Sequence, residues 1–294
     1  MSDNLTGYGI VVAVDGSPES DAATRWAALE AVLHHVPITL VHVIAPVVVS
    51  WPVAYLQGSY SAWQEDNAQN VLRQSQELVS KSVGKADVAQ VRTEVRHGND
   101  IAELTDVSRN ALMVVVGTRG MGAIGRVMLG SVSSGLVHHA HCPVAVIHAT
   151  GSQTLDSNAP VLVGIDGSPA SEAATAMAFD EASRRGVGLV AVHALSDVGV
   201  LTDLKTDWRE YENQGHEVLA ERLAGWCERY PDVEVRRRVV GEHPARWLIE
   251  ESQRAQLAVV GSHGRGGFAG MLLGSVSSAL TQQAQNPVLV VRTS

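Results

Sequence analysis

The run MVVVGTRGMGAIGRVMLGSVSSGL at residues 113–136 returns as LAVVGSHGRGGFAGMLLGSVSSAL at residues 257–280, an offset of 144. Each copy opens on a short Val-rich run and passes through widely spaced glycines. Each then ends in Gly-Ser-Val-Ser, which reads as a helix start. Working outward, IVVAVDGSP at 10–18 pairs with VLVGIDGSP at 161–169, and LVHV at 40–43 pairs with AVHA at 191–194, both at an offset of 151. VAVIH at 144–148 answers VLVVR at 288–292 at the offset of 144. The second copy is therefore seven residues shorter, and the loss falls after the second strand. Self-similarity over this length marks a duplicated domain. The reading is one domain over 1–150, a polar linker inside 149–160 (ATGSQTLDSNAP), and a second domain over 158–294.

Within the first copy, strands are expected near 9–14, 38–44, 91–96, 112–116 and 143–148. Helices are expected near 18–35, 61–83, 99–109 and 131–140. IVVAV and LMVVV are too continuously apolar for strands with one wet face, and they suit parallel strands buried on both sides. Pro18 fits the first turn of a helix, and Asn99 or Asp100 fits the cap of the third. Alternating strands and helices imply right-handed crossovers and an α/β doubly wound parallel sheet with helices on both faces.

The 294 residues are 45% hydrophobic, 18% charged and 4% aromatic, enough to build a core in each half. No apolar run reaches the roughly 18 residues that would span a bilayer, and the first residues lack the order of a signal peptide. A cytoplasmic location with no membrane span is expected. A net charge of −9 argues against sequence-independent binding to nucleic acid. The two cysteines, Cys142 and Cys227, do not occupy matching places, so no disulfide framework is expected.

In an open parallel sheet, ligands gather beyond the carboxyl ends of the strands where the order reverses. Three parts of each copy reach that edge. The first is Asp15-Gly16-Ser17-Pro18, with Asp166-Gly167-Ser168-Pro169 in the second copy. This carboxylate suits ribose hydroxyls or a metal ion; taken alone it reads better as a helix cap or an Asx turn, and its coincidence with the next part reverses that. The second is the loop Gly117, Gly120, Gly130, Ser131, with Gly261, Gly264, Gly274, Ser275 in the second copy. The early glycines are expected to take positive φ and to let the backbone approach a ligand. Ser131 and Ser275 are expected to cap helices whose free N–H groups face an anion. The third is the end of strand two, where Val43 and Ala194 could cover a base while His42 and His193 pack or hydrogen-bond nearby.

The loop is not a Walker P-loop, because no lysine occurs in 113–136 or 257–280. Positive charge comes instead from Arg119 and Arg126 in the first copy and Arg265 in the second. HHAHC at 138–142 faces QQAQN at 282–286, which carries no metal-ligating pattern, so a polar helix end is the better reading and no metal residue is assigned. The stretch 44–63, with Val47, Val48, Val49, Trp51, Tyr55, Tyr60 and Trp63, reads as a lid, a subunit contact or a connection packed on its own domain.

These residues resemble the ATP-binding branch of the universal stress protein family, marked by G-x2-G-x9-G-[ST], over almost the whole chain and twice, as in tandem members of mycobacteria. The resemblance implies a five-stranded sheet in the order 3-2-1-4-5 and one ATP, with Mg²⁺, per domain. Carried over, Ala13 and Gly164 would touch the base and Asp15 and Asp166 the adenosine. Gly117, Gly120, Gly130, Ser131, Gly261, Gly264, Gly274 and Ser275 would form the phosphate loops, followed by Val132, Ser133, Val276 and Ser277. Thr118-Arg119 departs from the more usual Ser262-His263. The resemblance also implies a homodimer and a nucleotide-dependent protein partner. Three readings stay open: a non-catalytic regulator, a slow Mg²⁺-dependent ATPase or nucleotide-transferring enzyme, and an interaction protein with nucleotide as a structural cofactor.

Overall fold

The computed structural model describes residues 7–46, 57–84, 90–120, 129–149, 156–195, 208–265 and 273–293. The chain forms two compact units, Met1–Ala149 and Thr150–Ser294. In the first unit the elements alternate as β1 (Gly9–Ala13), α1 (Pro18–Leu33), β2 (Ile38–Ile44), α2 (Gln57–Ser82) and β3 (Val91–His97), then α3 (Asp100–Val107), β4 (Ala111–Gly117), α4 (Ser131–His139) and β5 (Val144–Ile147). The second unit repeats this as β6 (Val161–Ile165), α5 (Pro169–Arg185), β7 (Leu189–Ala194), α6 (Trp208–Arg229) and β8 (Val235–Val240), then α7 (Pro244–Ser252), β9 (Leu257–Gly261), α8 (Ser275–Gln283) and β10 (Val288–Val291).

The strand order is β3-β2-β1-β4-β5 in the first unit and β8-β7-β6-β9-β10 in the second. The pairs within each unit are parallel, with Val12 opposite both Leu40 and Val115. Central strands are apolar for the reason expected. Ile10, Val11, Val12, Val114 and Val115 are 0% exposed because helices cover both faces. β3 and β8 are far wetter and carry Arg92, Glu94 and Arg96 or Arg236, Arg237 and Arg238. Charged outer strands blunt edge-to-edge pairing.

Local sequence explains where the helices begin. Ser17 caps α1 by accepting from the Ser20 N–H at 3.2 Å, with Pro18 at the first helical position. Ser168 does the same for α5 through the Ser171 N–H at 3.2 Å. Of the two candidates for α3, Asn99 is the cap, accepting from the Ala102 N–H at 3.1 Å. α2 starts at Gln57, earlier than the expected 61, so Tyr60 and Trp63 lie on its first turns as an exposed ring pair with centroids 5.6 Å apart. Val47, Val48, Val49, Trp51 and Tyr55 lie outside the described residues, as do residues 150–155 of the expected linker.

Burial pushes the Cys142 thiol up to about 12, which keeps it protonated and unreactive at neutral pH, whereas Cys227 is exposed. No helix among the described residues is long and apolar enough to cross a membrane.

Candidate functional site

β1 and β4 are adjacent, so Asp15 and the loop after Gly117 emerge side by side at the carboxyl edge of the first sheet. The turn after β1 is an Asx turn. Asp15 Oδ1 accepts from the Ser17 N–H at 3.0 Å and from the Ser17 hydroxyl at 2.6 Å. Gly16 sits at φ +82°, and the conformation itself calls for glycine there. The second unit repeats the turn, with Asp166 Oδ1 accepting from the Ser168 N–H at 2.8 Å and Gly167 at φ +81°. The Asx turn and the ligand reading are therefore compatible, since only one carboxylate oxygen is used by the turn.

The other oxygen faces the loop from β4. A Cβ on Gly120 would stand 2.4 Å from Asp15 Oδ2, and one on Gly264 would stand 2.4 Å from Asp166 Oδ2. In the second unit the Arg265 N–H donates to Asp166 Oδ2 at 3.2 Å, tying the two segments together. Each aspartate thus backs onto the first bend of its glycine loop.

The expected role of the early glycines needs correcting. Gly117, Gly120, Gly261 and Gly264 do not take positive φ; the positive-φ glycines of each site are Gly16 and Gly167. The loop glycines are required by crowding. A Cβ on Gly117 would lie 2.7 Å from the Glu19 backbone in α1, and one on Gly261 would lie 2.7 Å from the Ala170 backbone in α5. Strand ends and helix starts therefore press backbone to backbone at this edge.

The capping expectation also shifts by one residue. Gly130 and Gly274 are the N-caps of α4 and α8, extended at φ −62° and −70°, and no side chain caps either helix. Ser131 and Ser275 are the first helical residues. The Gly130 N–H turns back to Thr118 O at 2.7 Å and the Gly274 N–H to Ser262 O at 2.7 Å, closing each loop at its neck. Ser133 and Ser277 are buried and donate their hydroxyls to Gly117 O at 2.6 Å and Gly261 O at 2.5 Å. These staples hold the helix start against the strand end. They leave the N–H groups of Ser131, Val132 and Ser133, and of Ser275, Val276 and Ser277, without partners inside the helix. An uncapped helix N-terminus attracts an anion through these amides and the helix dipole.

Ala13, Val43, Gly164 and Ala194 lie part-exposed at or near strand ends. His42 and His193 do as expected: each Nδ1 bonds a strand-end carbonyl at 2.7 Å, Val14 O and Ile165 O respectively. Arg119 sits 3.6 Å from Glu19, and Arg126 lies outside the described residues together with the middle of each loop, 121–128 and 266–272. His138 bonds back to Ser134 O at 2.5 Å, as a polar helix end does.

Sequence reading missed Asp100. This first residue of α3 is partly buried, and its Oδ1 has no partner among the described residues. Burial pushes its carboxyl above the usual range; the nearby His42 opposes that rise and Asp15 adds to it. Pro244 begins the corresponding helix of the second unit.

The model of the universal stress protein family matches this chain twice, over residues 9–148 and 158–292. A universal stress protein of Mycolicibacterium smegmatis is 57% identical over 292 residues, covering 99% of both chains. One from Mycobacterium tuberculosis strain H37Rv is 50% identical over 295 residues, covering 100% of both. Among solved structures, a universal stress protein from Archaeoglobus fulgidus shares the fold, with a TM-score of 0.70 at 22% identity over 97% of this chain and 98% of that one. Duplicated sheets, paired Asp-Gly-Ser-Pro turns and twin glycine loops are thus accompanied by family matches in both halves, and the chain is a tandem-domain member of the universal stress protein family.

Proposed function

We propose that each domain binds one ATP, loaded as its Mg²⁺ complex, and that the protein acts as a nucleotide-dependent stress or growth regulator rather than as an enzyme. The observation that carries the reading is the pair of uncapped helix starts behind a glycine loop whose first bend touches an aspartate. Backbone amides at the starts of α4 and α8 suit phosphate oxygens, and Asp15 and Asp166 suit ribose hydroxyls. The part-exposed apolar residues Val43 and Ala194 suit a base face. A homodimer and a partner that reads the nucleotide state belong to the same proposal.

The regulator reading is favoured over catalysis by the composition of the loop. No lysine lies in 113–136 or 257–280 to neutralise charge on a transferring phosphoryl group. Nδ1 of His42 and of His193 is engaged with a backbone carbonyl, and Nδ1 of His263 in the second loop lies 3.0 Å from the Ser262 hydroxyl. Purified protein with Mg-ATP is expected to turn over more slowly than about one per minute, far below ordinary enzyme rates. Faster hydrolysis that disappears in a Gly120→Val, Gly264→Val double variant would favour the slow ATPase instead.

A further inference from the structure

The two sites share their backbone but not their charge. In the first unit the turn glycine Gly16 is covered by Val71 of α2, whose Cγ2 would lie 3.2 Å from a Cβ placed there. In the second unit Gly167 is covered by the guanidinium of Arg222 from α6, with Cζ and both terminal nitrogens 2.3 Å from the same imagined Cβ. Arg222 Nε is buried and has no hydrogen-bond partner, and no ion pair to this side chain occurs among the described residues. A buried N–H donor left without a partner is unfavourable. Its position just ahead of α5 is unfavourable too, because helix N-termini repel positive charge. Both costs are relieved when an anion arrives.

The other difference has the opposite sign. Asp100, which adds a second carboxylate near Asp15 in the first unit, is replaced in the second by Pro244. The first site therefore presents Asp15, Asp100 and Val71 along this edge, and the second presents Asp166 and Arg222. Beside a ribose-side aspartate, a guanidinium is the group that accommodates a phosphate on a ribose hydroxyl, which a carboxylate alone rejects.

We infer that the two sites have diverged in ligand selectivity, with Arg222 as the specificity-determining residue that lets the second site take an adenine nucleotide carrying an additional phosphate on its ribose. This inference rests on the nucleotide reading above. The probes are ADP and ADP bearing a 2′- or a 3′-phosphate, titrated calorimetrically into the full chain and into its Arg222→Val and Arg222→Lys variants. Wild type binds ADP at both sites and binds the ribose-phosphorylated form at least tenfold tighter than ADP at one site only. Arg222→Val erases that preference, and Arg222→Lys retains part of it, as a point charge would. Placing the cation in the first site with Val71→Arg creates a preference there.

The inference is overturned if the ribose-phosphorylated nucleotide shows no preference, prefers both sites equally, or keeps its preference in Arg222→Val with an unchanged melting temperature. If neither nucleotide binds the wild type, the nucleotide reading itself has failed. Binding of ADP without the preference overturns the selectivity alone.

Discussion

Gly120→Val is expected to abolish nucleotide binding at the first site and leave the second untouched, and Gly264→Val to do the reverse. A Cβ at either position falls 2.4 Å from a carboxylate oxygen of Asp15 or Asp166. The nearest obstacle is the end of a flexible side chain, so the fold can yield by swinging the carboxylate aside. That movement takes away the group offered to the ribose and fills the cleft between turn and loop with a branched side chain. A loss of at least 100-fold in affinity, about 2.8 kcal/mol, is expected at the altered site. Calorimetry on each single variant should count one remaining site per chain, with a melting temperature close to wild type. Loss of both sites from one substitution would contradict the independence of the two pockets.

Gly117→Ala and Gly261→Ala are expected to act on stability first. Here the obstacle is backbone: Glu19 at 2.7 Å for Gly117, and Ala170 at 2.7 Å with the Ser171 nitrogen at 2.8 Å for Gly261. Neither can move without lifting the start of α1 off β4, or α5 off β9. Such overpacking costs about 3 kcal/mol, at the upper end of ordinary small-to-large changes. For domains of this size that lowers the melting temperature by roughly 10 °C. Calorimetric scans without nucleotide should show the drop. A variant that melts like wild type would mean that these glycines serve ligand approach after all. The two pairs together separate glycines that shape a pocket from glycines that permit a packing contact.

The contrast also says what a sequence can reveal. The doubly wound sheet was legible because IVVAV and LMVVV are apolar without alternation, and because the whole pattern occurs twice. Spacing singled out Asp15, Gly117, Gly120 and Gly130, and the neighbouring strands β1 and β4 bring the Asp15 turn and the start of the glycine loop to one sheet edge. The reasons for the glycines were not legible. Positive φ and steric crowding both select glycine, and only the backbone separates Gly16, at φ +82°, from Gly117, pressed against Glu19. A Gly-Ser pair likewise does not say which residue is the cap. In both copies the extended residue is the glycine, so the serine side chain plays no part in capping.

Arg222 was hidden for a different reason. It lies on α6, far along the chain from the turn that it covers, in the segment where the two copies slip from an offset of 151 to one of 144. The offset of 151 does pair it with Val71, but only the fold shows that these two residues cover the turn glycines Gly16 and Gly167. Asp100 was visible as a capping candidate, but its burial and its proximity to Asp15 depend on how α3 meets the sheet edge.

The central claim concerns the amides at the starts of α4 and α8, and a crystal structure of the full chain grown with Mg-ATP addresses it directly. The account predicts phosphate oxygens within hydrogen-bond reach of the backbone N–H groups of residues 131–133 and 275–277, with the ribose against Asp15 and Asp166. Nucleotide found away from these helix starts, or in neither domain at saturating concentration, would contradict it.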